Sequence, residues 1–390
     1  MKILVITSLF PNKLNPDYGL YNAELLRSLT GGNDFTVICP ISLTPPMYIA
    51  RKSITKPGIT KNWFREIRKI PKQEIFRNIP VYYPQLFYLP KKLSKMSLGV
   101  FLFLRLLPIV REIRKRHGFE IIHAFGEFPE GFAAFLFSKI YRVPAIISHR
   151  RTFTSAKLKE SYLLNKIKNH IINKVDVNII SSNALFPDID KIDLQSFQLI
   201  PPGVDLIKYH PVDKLKVRKK LGVATDKRIL LFKGNLLPNS GINYLIDAFE
   251  LLVSKKTDLE LFIIGQGILK DALKRKIHKL KLENRIFIKD NVEEHEIPSW
   301  MNAADLFIAS YFSGEFPISA IEALACGTPV IACKTEVTQE LILDKKCGLL
   351  TNPRDCQDLA RKISTGLNVK WNRDLLAGHA KKFDIQNTDN

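Results

Sequence analysis

The chain has 390 residues, 46% of them hydrophobic and 10% aromatic, enough to bury a sizeable core in two or three domains. Its 59 Lys and Arg against 38 Asp and Glu leave a formal charge of +21, which favours an anionic partner such as nucleic acid, an acidic leaflet or a phosphorylated substrate. Five cysteines, an odd number without C-x-x-C spacing, exclude a disulfide framework and imply a reducing compartment.

The charge is uneven. Residues 1–200 carry +16 (30 basic, 14 acidic), and residues 201–390 carry +5 (29 basic, 24 acidic). The sharpest block is 51–117, with 17 basic and 3 acidic residues. The opening MKILVITSLFP is too soon broken by Pro11 and Lys13 for a secretion signal. The longest apolar run, 98–110, is interrupted by Arg105 and Pro108 and is too short to span a bilayer. These features predict a cytoplasmic chain, soluble or peripheral on the inner face of the membrane.

In chain order, residues 3–7 read as a strand, 22–29 as a helix and 36–39 as a strand. The Pro- and aromatic-rich stretch 54–90 reads as irregular. A basic helix over 96–117 precedes strand 120–124, helix 131–141, strand 145–148, helix 163–173 and strand 177–181. IPPGVD (200–205) closes this series, and 206–225 reads as a basic, turn-rich loop. A second series follows: strand 229–233, helix 242–253, strand 259–265, helix 269–280, strand 286–288, helix 297–303 and strand 306–309. SGEFPISAIEALACGTPVIA (313–332) then places Glu322 on a short apolar helix, entered at Phe316-Pro317 and closed by Gly327, before a buried strand. Such alternation predicts βαβ units and parallel sheets. The expected division is 1–197, 198–370 and a tail, 371–390.

The ordered motifs EIIHAF (120–125), VPAIISH (143–149), IPPGVD, GNLLPNSG (234–241), IIGQG (263–267), AADLFIAS (303–310) and the 313–332 stretch, after a Pro11…Gly19 entry loop, resemble glycosyltransferase family 4. The resemblance covers roughly residues 1–385. It implies the α/β GT-B fold, two Rossmann-like doubly wound domains facing a central cleft. It also implies retaining, metal-independent transfer of a hexosyl or N-acetylhexosaminyl group from a nucleoside diphosphate sugar, with no cofactor beyond that co-substrate. No His, Cys, Asp and Glu cluster in the sequence has metal-ligand spacing.

By the same resemblance His149 contacts the transferred sugar, Glu322 accepts hydrogen bonds from the donor ribose, and Glu315 is the displaced first acid of a paired-acid signature whose usual place is Gly314. Donor-binding positions are Gly19, Gly234, Gly265 and Gly267, where backbone approaches the ligand, and Phe316, Pro317 and Ile318 at a helix start suited to an anion. Two departures stand out: Asn235 and Ser240 occupy places where relatives carry Arg and Lys. Ser240 suits a helix cap, and Lys233 is the nearest replacement cation. Arg150 and Arg151 are read either as phosphate ligands or as surface charges. His123 is expected to be a satisfied histidine at the core edge.

The expected partners are a nucleotide sugar and a glycan or lipid-linked acceptor in cell-surface polysaccharide synthesis. The aromatics Trp63, Phe64, Tyr82, Tyr83, Phe87 and Tyr88 among basic residues suggest an anionic membrane surface as a further partner, against a plain solvated face. No nucleic-acid-binding module is recognisable. The competing reading is a GT-B nucleotide-sugar-binding protein with impaired transfer. The closing HAKKFDIQNTDN falls where relatives begin a last helix, so that helix is expected to be shortened and domain closure looser.

Overall fold

The computed structural model describes residues 1–14, 19–44, 59–86, 95–149, 162–185, 194–254, 258–290, 292–312, 317–342 and 346–386. It divides into two compact units, Met1–Ile200 and Pro201–Asn390.

The first unit is built on β1 (Lys2–Ile6), β2 (Asp34–Ile38), β3 (Ile41–Ser42), β4 (Gln73–Phe76), β5 (Ile79–Tyr82), β6 (Gln85–Leu86), β7 (Ile121–Phe125), β8 (Ala145–His149), β9 (Val177–Ile180) and β10 (Phe197–Leu199). Eight of these form one sheet in the order β10-β9-β8-β7-β1-β2-β5-β4, parallel except for the β4–β5 hairpin. The short β3 and β6 pair separately. Helix Lys95–Arg116 buries Leu102, Leu106, Val110 and Ile113 against this sheet, a helical repeat that its internal Pro108 does not break.

The stretch expected to be irregular is ordered where described: helix Ile59–Ile67 precedes the hairpin, whose turn is Arg77-Asn78, both at positive φ. Tyr82 and Tyr83 are buried, and the Tyr83 hydroxyl lies between two acceptors, 2.6 Å from the Pro11 carbonyl and 2.7 Å from Glu74 Oε1. They therefore belong to the core and do not contribute to a membrane-facing surface, while Phe87 and Tyr88 lie outside the described residues.

The second unit has six parallel strands, β11 (Arg228–Lys233), β12 (Leu259–Ile264), β13 (Ile286–Lys289), β14 (Leu306–Ala309), β15 (Val330–Cys333) and β16 (Gly348–Thr351), ordered β13-β12-β11-β14-β15-β16. This is the doubly wound arrangement, and its order reverses between β11 and β14, where such sheets present ligands. Strand alternation separates two cores. Leu230 and Phe232 pack with helices Ile242–Val253 and Cys356–Asn368, whereas Ile229 and Leu231 pack with helices Ile318–Ala325 and Arg373–Ala380.

The expected loop 206–225 contains helix Lys214–Leu221, capped by Asp213 on the Lys216 N–H and closed by Gly222 in the left-handed region. Its charged composition hid it, because only Val217 and Arg218 are buried. Arg218, 3% exposed, reaches the Ala303 carbonyl at 2.9 Å and Asp305 at 2.7 Å. Asp305 also accepts from Lys214 at 2.9 Å and from the Ile229 N–H at 2.7 Å. Burial alone raises the Asp305 pKa, but Lys214, the Ile229 N–H and Arg218 together hold it below the usual value.

Candidate active site

At the switch point β11 ends on Lys233, whose odd-numbered register turns it toward helix Ile318–Ala325. Its Nζ lies 2.6 Å from Glu322 Oε2. Glu322 is 8% exposed, held by a helix whose other face packs into the core. The Tyr209 side chain neighbours the same carboxylate; burial first, and then that negative neighbour, push its hydroxyl pKa far up. Glu322 likewise adds to the burial that raises the Cys326 thiol. The sequence pointed to Glu322 and Lys233 separately. Their pairing and Tyr209 emerge only from the fold.

Helix Ile318–Ala325 starts after Pro317 with no side-chain cap and no acid in its first turn. Helix Ile242–Val253 starts the same way after Gly241, at φ 71°. Ser240 does not act as its cap: the hydroxyl is 4% exposed and turns back to the Leu237 carbonyl at 2.7 Å. The reason is local, since Pro238–Ser240 forms a 3-10 turn that puts Gly241 at the cap position. Asn235 is exposed on the preceding loop. Glu315, Phe316, Arg150 and Arg151 lie outside the described residues.

The loops beyond β11 and β12 zip together past the strand ends. Gly234 N–H donates to the Ile264 carbonyl at 3.0 Å, and Leu236 N–H to the Gln266 carbonyl at 2.8 Å. A Cβ on Gly265 would sit 1.9 Å from the Gly234 oxygen, and one on Gly267 2.4 Å from the Leu236 oxygen. Both glycines are therefore required by the chain's own backbone, independently of any ligand. Across the switch point the Tyr311 hydroxyl donates to the Lys233 carbonyl, and Ser310 Oγ to the Ser240 carbonyl at 2.9 Å. The β11 and β14 loops are thus clasped into one rim.

In the first unit the corresponding carboxyl ends carry a second cluster. His149 closes β8 at 2% exposure, with Nδ1 3.1 Å from Glu127 Oε1 and Nε2 2.9 Å from Asn178 Oδ1. Its ring stacks on Phe197 at 5.8 Å. Glu127 lies in a kinked turn, Glu127–Gly131, with Phe128 extended, and the same turn carries Glu130. Burial raises the Glu130 pKa, and the Ser8 hydroxyl donates to its carboxylate. The sequence offered no signal for Glu127 and Asn178 as His149 partners, because they come from separate βα units. His123 Nε2 meets Ser148 Oγ at 2.8 Å, and burial lowers its pKa to about 4. Gly19 begins helix Leu20–Ser28 against the Leu9 backbone.

Residues 213–382 match the family described as glycosyl transferases group 1. The TuaC protein of Bacillus subtilis (strain 168), named as a teichuronic acid biosynthesis glycosyltransferase, is 27% identical over 93% of this chain and 88% of its own length. A D-inositol 3-phosphate glycosyltransferase of Arthrobacter sp. (strain FB24) is 29% identical over 70% of this chain and 68% of its own. Among solved structures, sucrose-phosphate synthase from Thermosynechococcus elongatus superposes with a TM-score of 0.77 at 17% identity, covering 100% of this chain and 96% of that one. Anabaena HepE in complex with UDP-glucose gives a TM-score of 0.70 at 21% identity, covering 100% and 97%. The fold is GT-B. Residues 213–382 are a group 1 glycosyltransferase domain, and the chain is a glycosyltransferase.

Proposed function

We propose that the chain is a retaining glycosyltransferase of family 4, moving a hexosyl or N-acetylhexosaminyl group from a nucleoside diphosphate sugar to a hydroxyl of a glycan or lipid-linked acceptor. The observation that carries this reading is the Lys233–Glu322 pair at the β11/β14 switch point, beside a helix start without a side-chain cap. Glu322 offers the ribose hydroxyls a charged acceptor. Lys233 supplies the cation that Asn235 and Ser240 lack, and on donor entry it exchanges Glu322 for the diphosphate. Amides at the starts of helices Ile318–Ala325 and Ile242–Val253 add anion affinity, about 0.3–1 kcal/mol each. Negative charge developing on the departing diphosphate is stabilised by these fixed groups, without a resident metal or cofactor. HepE, which shares the fold, was solved with UDP-glucose, so uridine nucleotides are the first donors to try.

The test is calorimetric titration of UDP, GDP and ADP, followed by turnover of the sugar nucleotide of whichever binds. Saturable binding of one nucleoside diphosphate with release of its sugar is the expected result. Binding without turnover supports the impaired-transfer alternative, which the neutral Asn235 and inward-turned Ser240 favour; absence of all binding overturns both readings.

We further propose that the first unit docks on the inner face of an anionic membrane through helix Lys95–Arg116. No helix among the described residues is long and apolar enough to cross a membrane. One solvent face of this helix carries Phe101 (52% exposed) and Leu104 (57% exposed), followed by Arg105 and Arg111 at the same helical spacing. Charge reversal at Arg105 and Arg111 is expected to abolish co-sedimentation with anionic vesicles, and retention as strong on neutral vesicles would refute the docking.

A further inference from the structure

Phe312 follows β14 in the even register and therefore emerges on the sheet face opposite Glu322, the face covered by helices Ile242–Val253 and Cys356–Asn368. There a cavity of about 440 Å³ opens among Pro238, Asn239, Tyr244, Phe312 and Arg354. It is open to solvent: Pro238, Asn239 and Arg354 are exposed, and Tyr244 and Phe312 are half-buried.

The rim is a built arrangement. Phe312 N–H donates to the Asn239 carbonyl at 3.1 Å, and the Tyr244 ring meets Phe312 edge-on at 5.4 Å. Arg354 lays its guanidinium over the Phe312 ring at 5.6 Å. It forms no ion pair among the described residues, although an acid is its chain neighbour: Asp355 is turned away to cap helix Cys356–Asn368 on the Asp358 N–H. Arg354 also holds φ 59°, a backbone region that arginine rarely adopts. The strained turn and the stacked ring together present an exposed guanidinium that no acid among the described residues pairs with.

We propose that this cavity is a subsite for an acidic sugar, a pyranose carrying a carboxylate or phosphate group. The stacked guanidinium is pre-oriented for a bidentate contact with the anion. Tyr244 and Pro238 provide an apolar wall for the C–H face of the ring, and Asn239 with the Tyr244 hydroxyl faces its hydroxyls. One cation framed by aromatics does not suit a polyanionic strand, which needs a row of positive charges. The subsite stands apart from Glu322 and does not rest on the donor reading. It would hold an acidic residue of a glycan during transfer.

Titrating the full chain with glucuronate, glucose 6-phosphate and glucose, each followed by saturation-transfer NMR, tests the assignment. At least one acidic sugar is expected to bind more tightly than glucose, and which one wins identifies the anion. Arg354→Gly suits the positive φ and so keeps the fold; it is expected to weaken acidic-sugar binding by about tenfold or more, leaving glucose and UDP unchanged. Phe312→Leu keeps the charge but removes the stack, and is expected to weaken acidic-sugar binding by less than Arg354→Gly does. Equal affinity for acidic and neutral sugars, or an acidic-sugar affinity unchanged in Arg354→Gly, overturns the proposal. Acidic-sugar binding by a chain that ignores every nucleoside diphosphate would overturn the donor reading and leave this subsite standing.

Discussion

Glu322→Gln is expected to weaken UDP, or whichever nucleoside diphosphate the chain prefers, by about 10- to 100-fold, the equivalent of losing one charged hydrogen-bond acceptor worth about 1.5–3 kcal/mol. Glu322 is 8% exposed, in the middle of helix Ile318–Ala325 at the switch point, so water compensates little for the lost acceptor. The variant has a second consequence, because it frees Lys233 from its 2.6 Å partner. A freed ammonium attracts the diphosphate more strongly, which opposes the loss. Inorganic pyrophosphate separates the two effects: Glu322→Gln should lose UDP affinity while holding or gaining pyrophosphate. Lys233→Met should lose both ligands. Equal loss of UDP and pyrophosphate in Glu322→Gln would argue against ribose recognition by Glu322.

The largest expected loss of stability follows Asp305→Ala, about 3–5 kcal/mol, the usual cost of breaking a buried charged pair from one side. Arg218 would keep its contacts to the Ala303, Thr225 and Lys227 carbonyls but lose the carboxylate that neutralises it at 3% exposure. The Ile229 N–H at the start of β11 would lose its acceptor as well. Chemical denaturation followed by far-UV circular dichroism measures the effect, and a midpoint within error of the parent chain would rule the network out as a determinant of stability. The pH dependence has a definite sign. The Asp305 pKa is lowered in the folded chain, so its contribution is complete above the unfolded value of about 3.9 and disappears as pH falls through the lower, folded one. Asp305→Ala should therefore flatten the acid limb of the stability curve.

Much of the second unit was legible because its signals are local. Helices Ile242–Val253 and Ile297–Ala303 and strand Leu306–Ala309 coincide with the sequence reading, since apolar period and flanking Gly, Pro and polar residues mark their ends. Helix Lys214–Leu221 was not legible, because it buries only two residues and one of them is an arginine. The hairpin of β4 and β5 was hidden among prolines and charges for a related reason: β4 alternates exposed and half-buried residues at the sheet edge. Ser240 shows a different limit. Its residue type suits a cap, yet the preceding Pro238 starts a 3-10 turn that shifts the cap by one residue.

The candidate site divides along the same line. Glu322 was legible as an acid among apolar neighbours on a short helix, and His149 as a polar end to an apolar strand. Their partners were not. Glu322 meets a lysine 89 positions away, and His149 meets Glu127 and Asn178 from two other βα units. The cavity under Arg354 joins the loops after β11, β14 and β16, which no local pattern connects.

By itself, then, the chain order of polar and apolar residues determined two βαβ series and the family they resemble, because burial period and turn chemistry act over a few neighbouring residues. Tertiary structure alone decided that Lys233 faces Glu322 and Phe312 the opposite side. Register on a pleated strand assigns each side chain to one face, and only the strand order β13-β12-β11-β14-β15-β16 settles which helices and loops meet it there.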